Sequence, residues 1–590
     1  MNRILLYVHY NGEQELSPHV TYQLEHIRDI FSKVVFISNS ELSKENQELL
    51  ESKGLIDTFI QRENIGFDFG AWRDGMLAEG FENLEKYDSV TIMNDTCFGP
   101  VFDFETTFNE YENDSNNDFW GITNNRKHKV NVGGEVIIPD HIQSYFVSFK
   151  ANVVKSQAFQ NFWSSVEDIK DDVVQVILRY ETQLTKVLED AGFEPAVMFD
   201  TRKEDFTGMM VHDFSIFAMP EIVRRKIPFI KVKSFTFMAE DIYTPLVMET
   251  LERESDYPLN LIINHMTRVD YPDRNYMLDY KMLTKDVNQS LENDKNIAIH
   301  LHVFYEDLLE EFLEIFSKLP FKFDLYLTTD NSKKEDIIEG ILEKSKPENC
   351  KNYFMDVTGN KGRDVLPWMK ISDKLKNYDL VGHFHTKKSA ANAWIVGETW
   401  RRDLEDMLLN QSAKVMNAFD ESEQVGIVIP DVPEFFKYYY GPTYINEGAL
   451  YPKMLELWNQ IPFDKEKEFK QLSTYTMSYG TMLWYRPEAL DNLLSLNVAD
   501  QVPEEPLPYD SLLHAFERIL VYVAWANGYD FRIVPSKHQK SGIIENRSGN
   551  LMLSKEVDTK QIDWDSLGGK RAAKYVVKKA YLKVRSGFKR

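Results

Sequence analysis

The chain has 590 residues, of which 43% are hydrophobic and 27% charged, and its formal net charge is −25. This hydrophobic fraction excludes a disordered chain, and the length suggests about three domains. The negative charge argues against nucleic acid as a partner, because phosphate binding needs a basic surface. The two cysteines, Cys97 and Cys350, are too few for a disulfide framework or a cysteine zinc site and are typical of the cytoplasm.

The chain opens with a short apolar run that ends at His9 and then turns polar. A run of this length is typical of a first β-strand and is too short for a secretory signal. No segment approaches the roughly 18–20 apolar residues that a membrane span needs. We therefore expect a cytoplasmic protein that does not cross the membrane.

Strand and helix signals alternate in the first part of the chain. Ile4–His9 has the pattern of a buried strand, a helix follows near Thr21–Phe31, and Val34–Ser38 has the pattern of the next strand. This rhythm predicts an α/β fold with a mostly parallel sheet covered by helices. Because such sheets bind ligands at the carboxyl ends of their strands, His9 is a candidate ligand-binding residue.

The next polar feature is Asn-Ile-Gly-Phe-Asp-Phe-Gly-Ala-Trp at residues 64–72. Asp68 follows a flexible glycine just before a predicted helix, where its carboxylate can bind a ribose or sugar hydroxyl. The alternative is that Asp68 caps the helix and Trp72 packs on the sheet. The sequence does not separate the two interpretations.

Asn94 and Asp95 follow the apolar run Val90–Ile92, at the end of another predicted strand. A carboxylate at a strand end can hold a divalent cation together with a diphosphate. A single carboxylate does not secure a metal site, and an Asx turn that ends the strand is the alternative.

An internal repeat organises the chain. The pattern Asn-x-Gly-x-Asp-x-x-x-Trp occurs at residues 64–72 and again at 360–368. Three further matches follow in the same order: Val8-His9 with Leu301-His302, Tyr87–Val90 with Tyr378–Val381, and Tyr180-Glu181 before Gly192 with Phe516-Glu517 before Gly528. Four matches in one order indicate two homologous modules.

The repeat predicts the organisation of the whole chain. Strand, helix and strand signals recur at Ile297–Phe304, Leu308–Lys318 and Phe323–Thr329. We predict a first module at residues 1–240, a helical connector at 241–295, a second module at 296–545, and a polar stretch with a basic tail at 546–590. His302 and Asp364 become candidate ligand-binding residues as counterparts of His9 and Asp68.

The segment His-Phe-His-Thr-Lys-Lys at residues 383–388 occupies the place of Asn94 and Asp95 in the second module. Histidine and lysine are poor Mg²⁺ ligands but good partners for phosphate oxygens. His383, His385 and Lys387 are therefore candidate phosphate-binding residues, and a solvated basic turn is the alternative.

A predicted helix carries His514, Glu517 and Arg518 at spacings of three and four from the histidine, which place them on one face. A glutamate between a histidine and an arginine can act as a general base, so Glu517 and His514 are candidate catalytic residues. A helix-surface ion pair is the alternative. The counterpart Glu181 is also a candidate but lacks both neighbours, so the two modules can differ in activity.

Aromatic side chains lie beside arginine or glycine at Trp400-Arg401 and at Tyr479. Such combinations suit a carbohydrate groove. Trp400, Arg401, Tyr479 and Arg518 are therefore candidate acceptor-binding residues, although most aromatic rings of this region are expected in the core.

The chain ends in a basic segment. From Gly569 to Arg590 there are nine Lys or Arg and no Asp or Glu, and apolar side chains alternate with the lysines at roughly helical spacing. A basic amphipathic helix can lie on an anionic membrane surface, at about 1 kcal/mol per basic residue. A disordered solubilising tail is the alternative.

In this order, the repeated Asn-x-Gly-x-Asp-x-x-x-Trp pattern, the 383–388 segment and the residues 514–518 resemble the rhamnan synthesis protein F family over roughly residues 3–540. Within it, the likeness is to the streptococcal-type rhamnosyltransferases of cell-wall rhamnose–glucose polysaccharide assembly. The resemblance implies two tandem GT-A-like nucleotide-sugar modules. It also implies an enzyme peripheral on the inner face of the cell membrane, working with other assembly enzymes, that transfers L-rhamnose with inversion from dTDP-L-rhamnose to a lipid-linked polysaccharide.

No residue role carries over with the resemblance, so the strand-end residues of both modules are assigned to the donor from spacing alone. GT-A enzymes usually use an Asp-x-Asp motif with Mg²⁺ or Mn²⁺, and this chain departs from that pattern at residues 93–95 and 383–385. Metal dependence therefore stays open. A glycan-binding scaffold of the assembly machinery, or a transferase of another sugar or of glycerol phosphate, are the alternative functions.

Overall fold

The apolar run at the start of the chain forms strand β1 (Arg3–His9), which is buried over its whole length. Side chains of β1 point alternately to two hydrophobic cores, with Leu6 beside Trp72 in one and Tyr7 beside Leu24 in the other. A strand that is apolar on both faces requires helices on both sides of its sheet. The predicted α/β fold class is confirmed.

The chain divides into two units, residues 1–280 and 281–590. This division does not test the predicted boundaries at residues 240, 295 and 545, which stay predictions. The basic tail lies almost entirely outside the described residues. The computed structural model describes residues 2–131, 134–204, 214–217, 219–235, 240–269, 271–272, 275–287, 295–388, 394–434, 436, 442–472, 475–508, 510–537, 573 and 576–577. Across these ranges, none of the helices combines the length and the hydropathy that a membrane span needs.

Unit 1 is built on one large, mostly parallel sheet. After β1, its strands are β2 (Lys33–Ser38), β3 (Thr58–Gln61), β4 (Ser89–Asn94), β5 (Cys97–Phe98), β6 (Phe119–Asn125), β7 (His128–Asn131), β8 (Glu135–Ile138), β9 (His141–Ile142), β10 (Phe146–Lys150), β11 (Pro195–Phe199) and β12 (Ile230–Lys231). The main sheet has the order β3-β2-β1-β4-β10-β6-β11, and β10 is antiparallel to both of its neighbours. β9 pairs with β6, while β7–β8 and β5–β12 are small separate pairs.

Helices cover this sheet on both faces. They are α1 (Pro18–Ile27), α2 (Lys44–Ser52), α3 (Phe67–Glu79), α4 (Phe81–Leu84), α5 (Glu105–Asn113), α6 (Ala151–Val154), α7 (Gln157–Ser164), α8 (Val173–Val176), α9 (Thr182–Asp190), α10 (Phe214–Phe217), α11 (Met219–Arg224), α12 (Glu240–Glu254), α13 (Leu259–Val269) and α14 (Asn275–Tyr280). A π-helical turn, Ile177–Glu181, joins α8 to α9. α12 and α13 pack on β5 and β12 in a third core cluster.

Unit 2 repeats the architecture. Its strands are β13 (Ile297–His302), β14 (Phe323–Thr329), β15 (Cys350–Val357), β16 (Leu380–His385), β17 (Val425–Pro430), β18 (Leu483–Tyr485) and β19 (Asp530–Val534). Its helices are α15 (Leu309–Ser317), α16 (Ser332–Ser345), α17 (Val365–Leu375), α18 (Trp394–Leu408), α19 (Ser412–Glu421), α20 (Pro442–Trp458), α21 (Pro487–Leu494) and α22 (Leu512–Ala526). The sheet order is β15-β14-β13-β16-β18-β17-β19, with β18 antiparallel to its neighbours.

The two sheets share one topology. When the seven strands of each main sheet are numbered along the chain, both have the order 3-2-1-4-6-5-7 with an antiparallel sixth strand. An arrangement this specific, repeated in both halves, supports the duplication that the sequence matches indicated.

The repeated Gly-x-Asp motif has a backbone cause. Gly66 and Phe67 have φ values of 74° and 51°, and Gly362 and Arg363 have 80° and 51°. Two successive left-handed residues turn the chain from the third strand into the following helix and place the aspartate at the start of that helix. A side chain costs energy in this conformation, which is why the first of the two positions is glycine.

We expect Gly362→Ala to destabilise unit 2 more than Gly359→Ala. Both glycines have φ near 80°, so both variants carry the left-handed cost of about 1–2 kcal/mol. An added Cβ at Gly362 would lie 2.2 Å from Leu366 Cγ, whereas nothing lies within 4 Å at Gly359. The overlap should add about 1–3 kcal/mol, measured by denaturant unfolding of the full chain. Equal losses from the two variants would contradict a crowded entry to α17.

Candidate functional site

The strand order of each sheet reverses between its first and fourth strands, β1 and β4 in unit 1 and β13 and β16 in unit 2. The crevice outside the carboxyl ends of such a strand pair is where α/β sheets bind ligands. The predicted donor residues of both modules lie at or next to these two strand ends.

In unit 1, Asp68 is joined to the end of β4. Asn94 Nδ2 donates to Asp68 Oδ2 at 2.8 Å, and Asn94 Oδ1 accepts from the backbone N–H of Thr96 at 3.2 Å. The second bond is the Asx turn that the sequence left open. The first shows that Asp68 turns toward the strand end, and α3 has no side-chain cap. Trp72 is fully buried, as the packing alternative predicted.

His9 and Asp95 lie on the other side of the same strand ends. His9 Nε2 is 3.9 Å from Asp95 Oδ2, and its Nδ1 is 3.1 Å from Ser38 Oγ. Asp95 also accepts a hydrogen bond from the backbone N–H of Tyr10 at 3.0 Å. Asp95 therefore holds the loop after β1 and faces the imidazole.

Glu181 adds a third carboxylate to this group. Its Oε1 accepts hydrogen bonds from the backbone N–H of Ser144 at 3.1 Å and from the Ser144 hydroxyl at 3.0 Å. The negative charge of Glu181 acts on Asp68. The structure thus brings His9, Asp68, Asn94, Asp95 and Glu181 together at one end of the sheet.

Burial shifts the pKa values of Asp68, Asp95 and His9 in the direction that favours the uncharged form of each. It raises the pKa of Asp68 to about 6, with a further contribution from Glu181 and against the hydrogen bond from Asn94. It raises the pKa of Asp95 to about 8, with help from the charge of Asp68. Burial also lowers the pKa of His9 to about 4.

In unit 2, Asp364 is 9% exposed and lies among hydrogen-bond donors. The Thr481 hydroxyl donates to Asp364 Oδ2, and His383 Nε2 faces the same oxygen at 3.5 Å. Burial by itself disfavours the charged form, but His385, His383 and Thr481 outweigh it, so the pKa of Asp364 lies well below its usual value. The pKa values of the two equivalent aspartates are therefore shifted in opposite directions.

The loop before β18 is strained at the point where it meets this aspartate. Tyr479, Gly480 and Thr481 have φ values of 49°, 129° and 61°. The conformation presents the Gly480 carbonyl to His385 Nε2, which donates to it at 2.7 Å, and it presents the Thr481 hydroxyl to Asp364. Left-handed non-glycine residues of this kind concentrate at functional sites.

Lys387 extends the site beyond β16. Its Nζ lies 3.5 Å from the ring centre of Trp400, and the Trp400 indole N–H donates to the Tyr479 carbonyl at 2.7 Å. Burial lowers the pKa of Lys387, and the charges of Glu517 and Asp364 oppose that shift. Lys387 thus lies against Trp400 and close enough to Glu517 and Asp364 for their charges to act on it.

The remaining predicted residues are engaged elsewhere. The guanidinium of Arg401 is held by Glu311 at 2.9 Å and Glu405 at 3.1 Å. His514 Nδ1 is 3.0 Å from Ser511 Oγ at the start of α22. Arg518 donates to the His514 carbonyl at 2.9 Å and approaches Glu517 at 3.3 Å, which is the helix ion pair considered from the sequence.

The structure corrects one of the sequence matches by one residue. The backbone N–H of Asp88 donates to the carbonyl of Asn2, and that of Asp379 donates in the same way to Asn296. Counting along the strands from these bonds, His302 corresponds to Val8 and not to His9. A shift of one residue moves a side chain to the other face of the sheet, so His9 and His302 are not equivalent.

Sequence reasoning missed three polar residues of unit 2. His300, Thr328 and Thr481 are buried and bonded into the site. A signal was present: histidines alternate at 300 and 302 and again at 383 and 385, and residues two apart on a strand share a face.

A divalent metal does not fit the side chains that the structure describes. Within the described ranges, no group of three or more His, Cys, Asp or Glu side chains is arranged to hold a metal ion. In unit 2, the carboxylate of Asp364 is already occupied by Thr481 and faces neutral histidines, which are poor partners for Mg²⁺.

Asp68→Asn and Asp364→Asn should change stability in opposite directions. A raised pKa means that the folded state holds the proton more tightly, so the contribution of Asp68 is full below about pH 4 and is lost as the pH rises through about 6. A lowered pKa gives Asp364 a contribution that is present at neutral pH and lost in acid. At pH 7.5, thermal unfolding should show Asp68→Asn at or above the native midpoint and Asp364→Asn below it. A loss from Asp68→Asn that grows with pH would contradict this assignment.

Comparison with curated proteins finds partial relatives. The chain is 33% identical over 172 residues to the uncharacterized protein y4gN of Sinorhizobium fredii, covering 29% of this chain and 42% of that protein. It is 28% identical over 264 residues to the uncharacterized protein WxcX of Xanthomonas campestris pv. campestris, covering 42% and 34%. It is 31% identical over 163 residues to the virulence protein VirA of Vibrio anguillarum, covering 27% and 48%. The chain therefore spans less than half the length of each of these relatives.

Solved structures show only remote similarity. S. aureus TarS 1–349 has 13% identity and a TM-score of 0.22, covering 42% of this chain and 59% of that one. The mannosyltransferase PcManGT of Pyrobaculum calidifontis, solved with GDP-Man and Mn²⁺, has 11% identity and a TM-score of 0.22, covering 45% and 76%. Scores of this size carry no inference about the activity of the present chain.

A family model identifies most of the sequence. The model described as rhamnan synthesis protein F matches residues 34–529, which include both copies of the Gly-x-Asp motif, the ends of β4, β13 and β16, and α22. The chain belongs to the rhamnan synthesis protein F family.

Proposed function

We propose that the chain is a glycosyltransferase that moves L-rhamnose from dTDP-L-rhamnose to a lipid-linked polysaccharide. Membership of a family named for rhamnan synthesis supports the product class. The observation that carries the chemistry is the charge arrangement at the topological switch point of unit 2, where Lys387 lies close enough to Asp364 for the charge of the carboxylate to act on it.

Charge favours unit 2 as the site of the donor diphosphate. Counting from the same backbone bonds, Lys387 corresponds to Thr96 in unit 1. Unit 1 offers the carboxyl groups of Asp68, Asp95 and Glu181 at this place, which would repel a diphosphate when ionised. A buried ammonium in unit 2 attracts it, and more strongly than in water because the surroundings are dry.

The proposed reaction uses the side chains that surround Lys387. The acceptor hydroxyl attacks the anomeric carbon of the sugar, the bond to the diphosphate oxygen breaks, and dTDP leaves with its new charge beside Lys387. Glu517, with a side chain 16% exposed and close enough to act on Lys387, is our choice to accept the hydroxyl proton. Trp400, held by the hydrogen bond from its indole N–H to the Tyr479 carbonyl, is our choice to contact a sugar face.

Unit 1 would then bind glycan without transferring it. Its carboxyl groups and Asn94 are hydrogen-bonding groups that suit sugar hydroxyls, and burial raises the pKa of both Asp68 and Asp95. The other assembly enzymes would supply the acceptor and extend the product.

Release of dTDP from dTDP-L-rhamnose, with a lipid-linked acceptor in membranes, tests the proposal. Lys387→Ala should lower kcat by about 10²–10³, the effect of removing one charge-stabilising group. Lys388→Ala is the matched control, because Lys388 is 43% exposed and paired with Asp307, and it should stay within about twofold.

Three results would overturn parts of the proposal. Equal losses of kcat from both lysine variants would contradict the placement of the diphosphate beside Lys387. Turnover with another nucleotide sugar or with a glycerol phosphate donor, but not with dTDP-L-rhamnose, would change the substrate. Binding of polysaccharide without binding of any nucleotide would favour the scaffold alternative.

We also propose that the basic tail attaches the chain to the inner face of the membrane. At about 1 kcal/mol per basic residue, nine residues suffice for reversible binding to anionic lipid. A chain ending at Asp565 should leave the vesicle fraction in sedimentation assays with phosphatidylglycerol vesicles, and 0.5 M salt should release the full chain. Undiminished sedimentation of the shortened chain would exclude the tail as the anchor.

A further inference from the structure

A row of buried, hydrogen-bonded histidines lies next to Asp364 in unit 2. His300 Nδ1 is 2.9 Å from His383 Nδ1, and His300 Nε2 is 2.9 Å from Thr328 Oγ1. The same hydroxyl is 2.9 Å from His302 Nδ1. His300 and His383 are fully buried, and Trp368 stacks on His383 with 4.0 Å between ring centres.

Unit 1 has hydrocarbon at all four of these positions. In the strand registers, His300 pairs with His383 where Leu6 pairs with Ile92, and His302 pairs with Thr328 where Val8 pairs with Ile37. The same sheet thus folds with an apolar layer. Buried polar groups cost free energy unless they are fully bonded, so the fold alone does not explain why unit 2 carries them.

Asp364 determines which ring nitrogens of His383 and His300 carry a proton. An ionised carboxylate cannot donate, so the nitrogen that faces it, His383 Nε2, is the protonated one. Burial lowers the pKa of His383 to about 4, so the ring is neutral and its Nδ1 must accept from His300 Nδ1–H. His300 Nε2 then accepts from the Thr328 hydroxyl.

We propose that His300 is a positioning residue: by donating to His383 Nδ1, it keeps the N–H of His383 Nε2 turned toward Asp364 and so keeps that carboxylate ionised for a hydroxyl of the donor sugar. The last clause rests on the proposed function, whereas the effect on Asp364 does not. Without His300, His383 can carry its proton on Nδ1 and turn a lone pair toward the carboxylate.

Several other charged or titratable groups face Asp364 and remain in place in the test below. They come from β13, β16, the turn before α17, the segment after β16 and α22: His302, His385, Arg363, Lys387 and Glu517.

The test compares His300→Leu with His300→Asn in the full chain. The two side chains have nearly the same shape, and both variants lose the imidazole and its own titration. Only asparagine carries an N–H at the place of Nδ1 that can donate to His383. Thermal unfolding is measured from pH 2 to pH 7, with Asp364→Asn to identify the transition of unit 2.

We expect the acid loss of unit 2 stability to be smaller, and to end at a higher pH, in His300→Leu than in His300→Asn, because the pKa of folded Asp364 rises when the facing N–H is lost while that of the unfolded chain is unchanged. Calorimetry with dTDP-L-rhamnose should show affinity falling off at a higher pH in His300→Leu, while affinity for dTDP alone stays within about twofold in both variants.

Identical pH profiles for the two variants, even with lowered stability, would overturn the inference and leave His300 as a packing residue. If the native chain binds neither dTDP nor dTDP-L-rhamnose but the stability profiles still separate, the proposed function fails while the positioning role of His300 stands.

Discussion

The constraint on which unit 2 depends is an ionised carboxylate in a nearly dry place. An unpaired buried charge costs several kcal/mol, so Asp364 requires donors on every open side. The backbone supplies them at a cost of its own: one left-handed pair places Asp364 before α17, and a second strained segment presents Thr481. Only the second departure, in the loop before β18, ends at the Asp364 carboxylate, which indicates that the carboxylate is the reason for the strain in that loop.

Unit 1 shows what the same backbone does without that compensation. Asp68 enters its helix through an equivalent left-handed pair, yet burial raises its pKa because Asn94 is its one described hydrogen-bond partner. Comparison of the two units therefore distinguishes the backbone geometry at the aspartate from the pKa of its carboxyl group. The Gly-x-Asp turn is a property of the duplicated scaffold, whereas the charge state of the aspartate is set by the side chains on β13, β16 and the loop before β18.

Local patterns predicted much of the scaffold, since β14 was expected at its observed bounds and β1 and β13 within two residues of theirs. The antiparallel sixth strand was not predictable, because β10 and β18 are specified by long-range pairing that no short window contains. Among the candidate site residues, Asp68 and Asp364 were named from the repeated Gly-x-Asp motif and Lys387 from a strand end, and their roles stay predictions. The match of His9 with His302 failed because an aliphatic-histidine pair looks the same in either register, and only the sheet bonds fix which face a histidine occupies.

The same dependence on register explains why His300 was overlooked. A single histidine inside an apolar strand is ordinary core, and nothing near it in the sequence shows that His383 will lie opposite. Two strands that each carry alternating histidines become one polar layer only when β13 and β16 pair directly, as they do at the switch point of the sheet. Comparison with unit 1 supplies what sequence periodicity does not. Unit 1 folds with the apolar side chains Leu6 and Ile92 at these two positions, so the sheet itself does not require histidines there. We therefore attribute the histidine pair of unit 2 to Asp364.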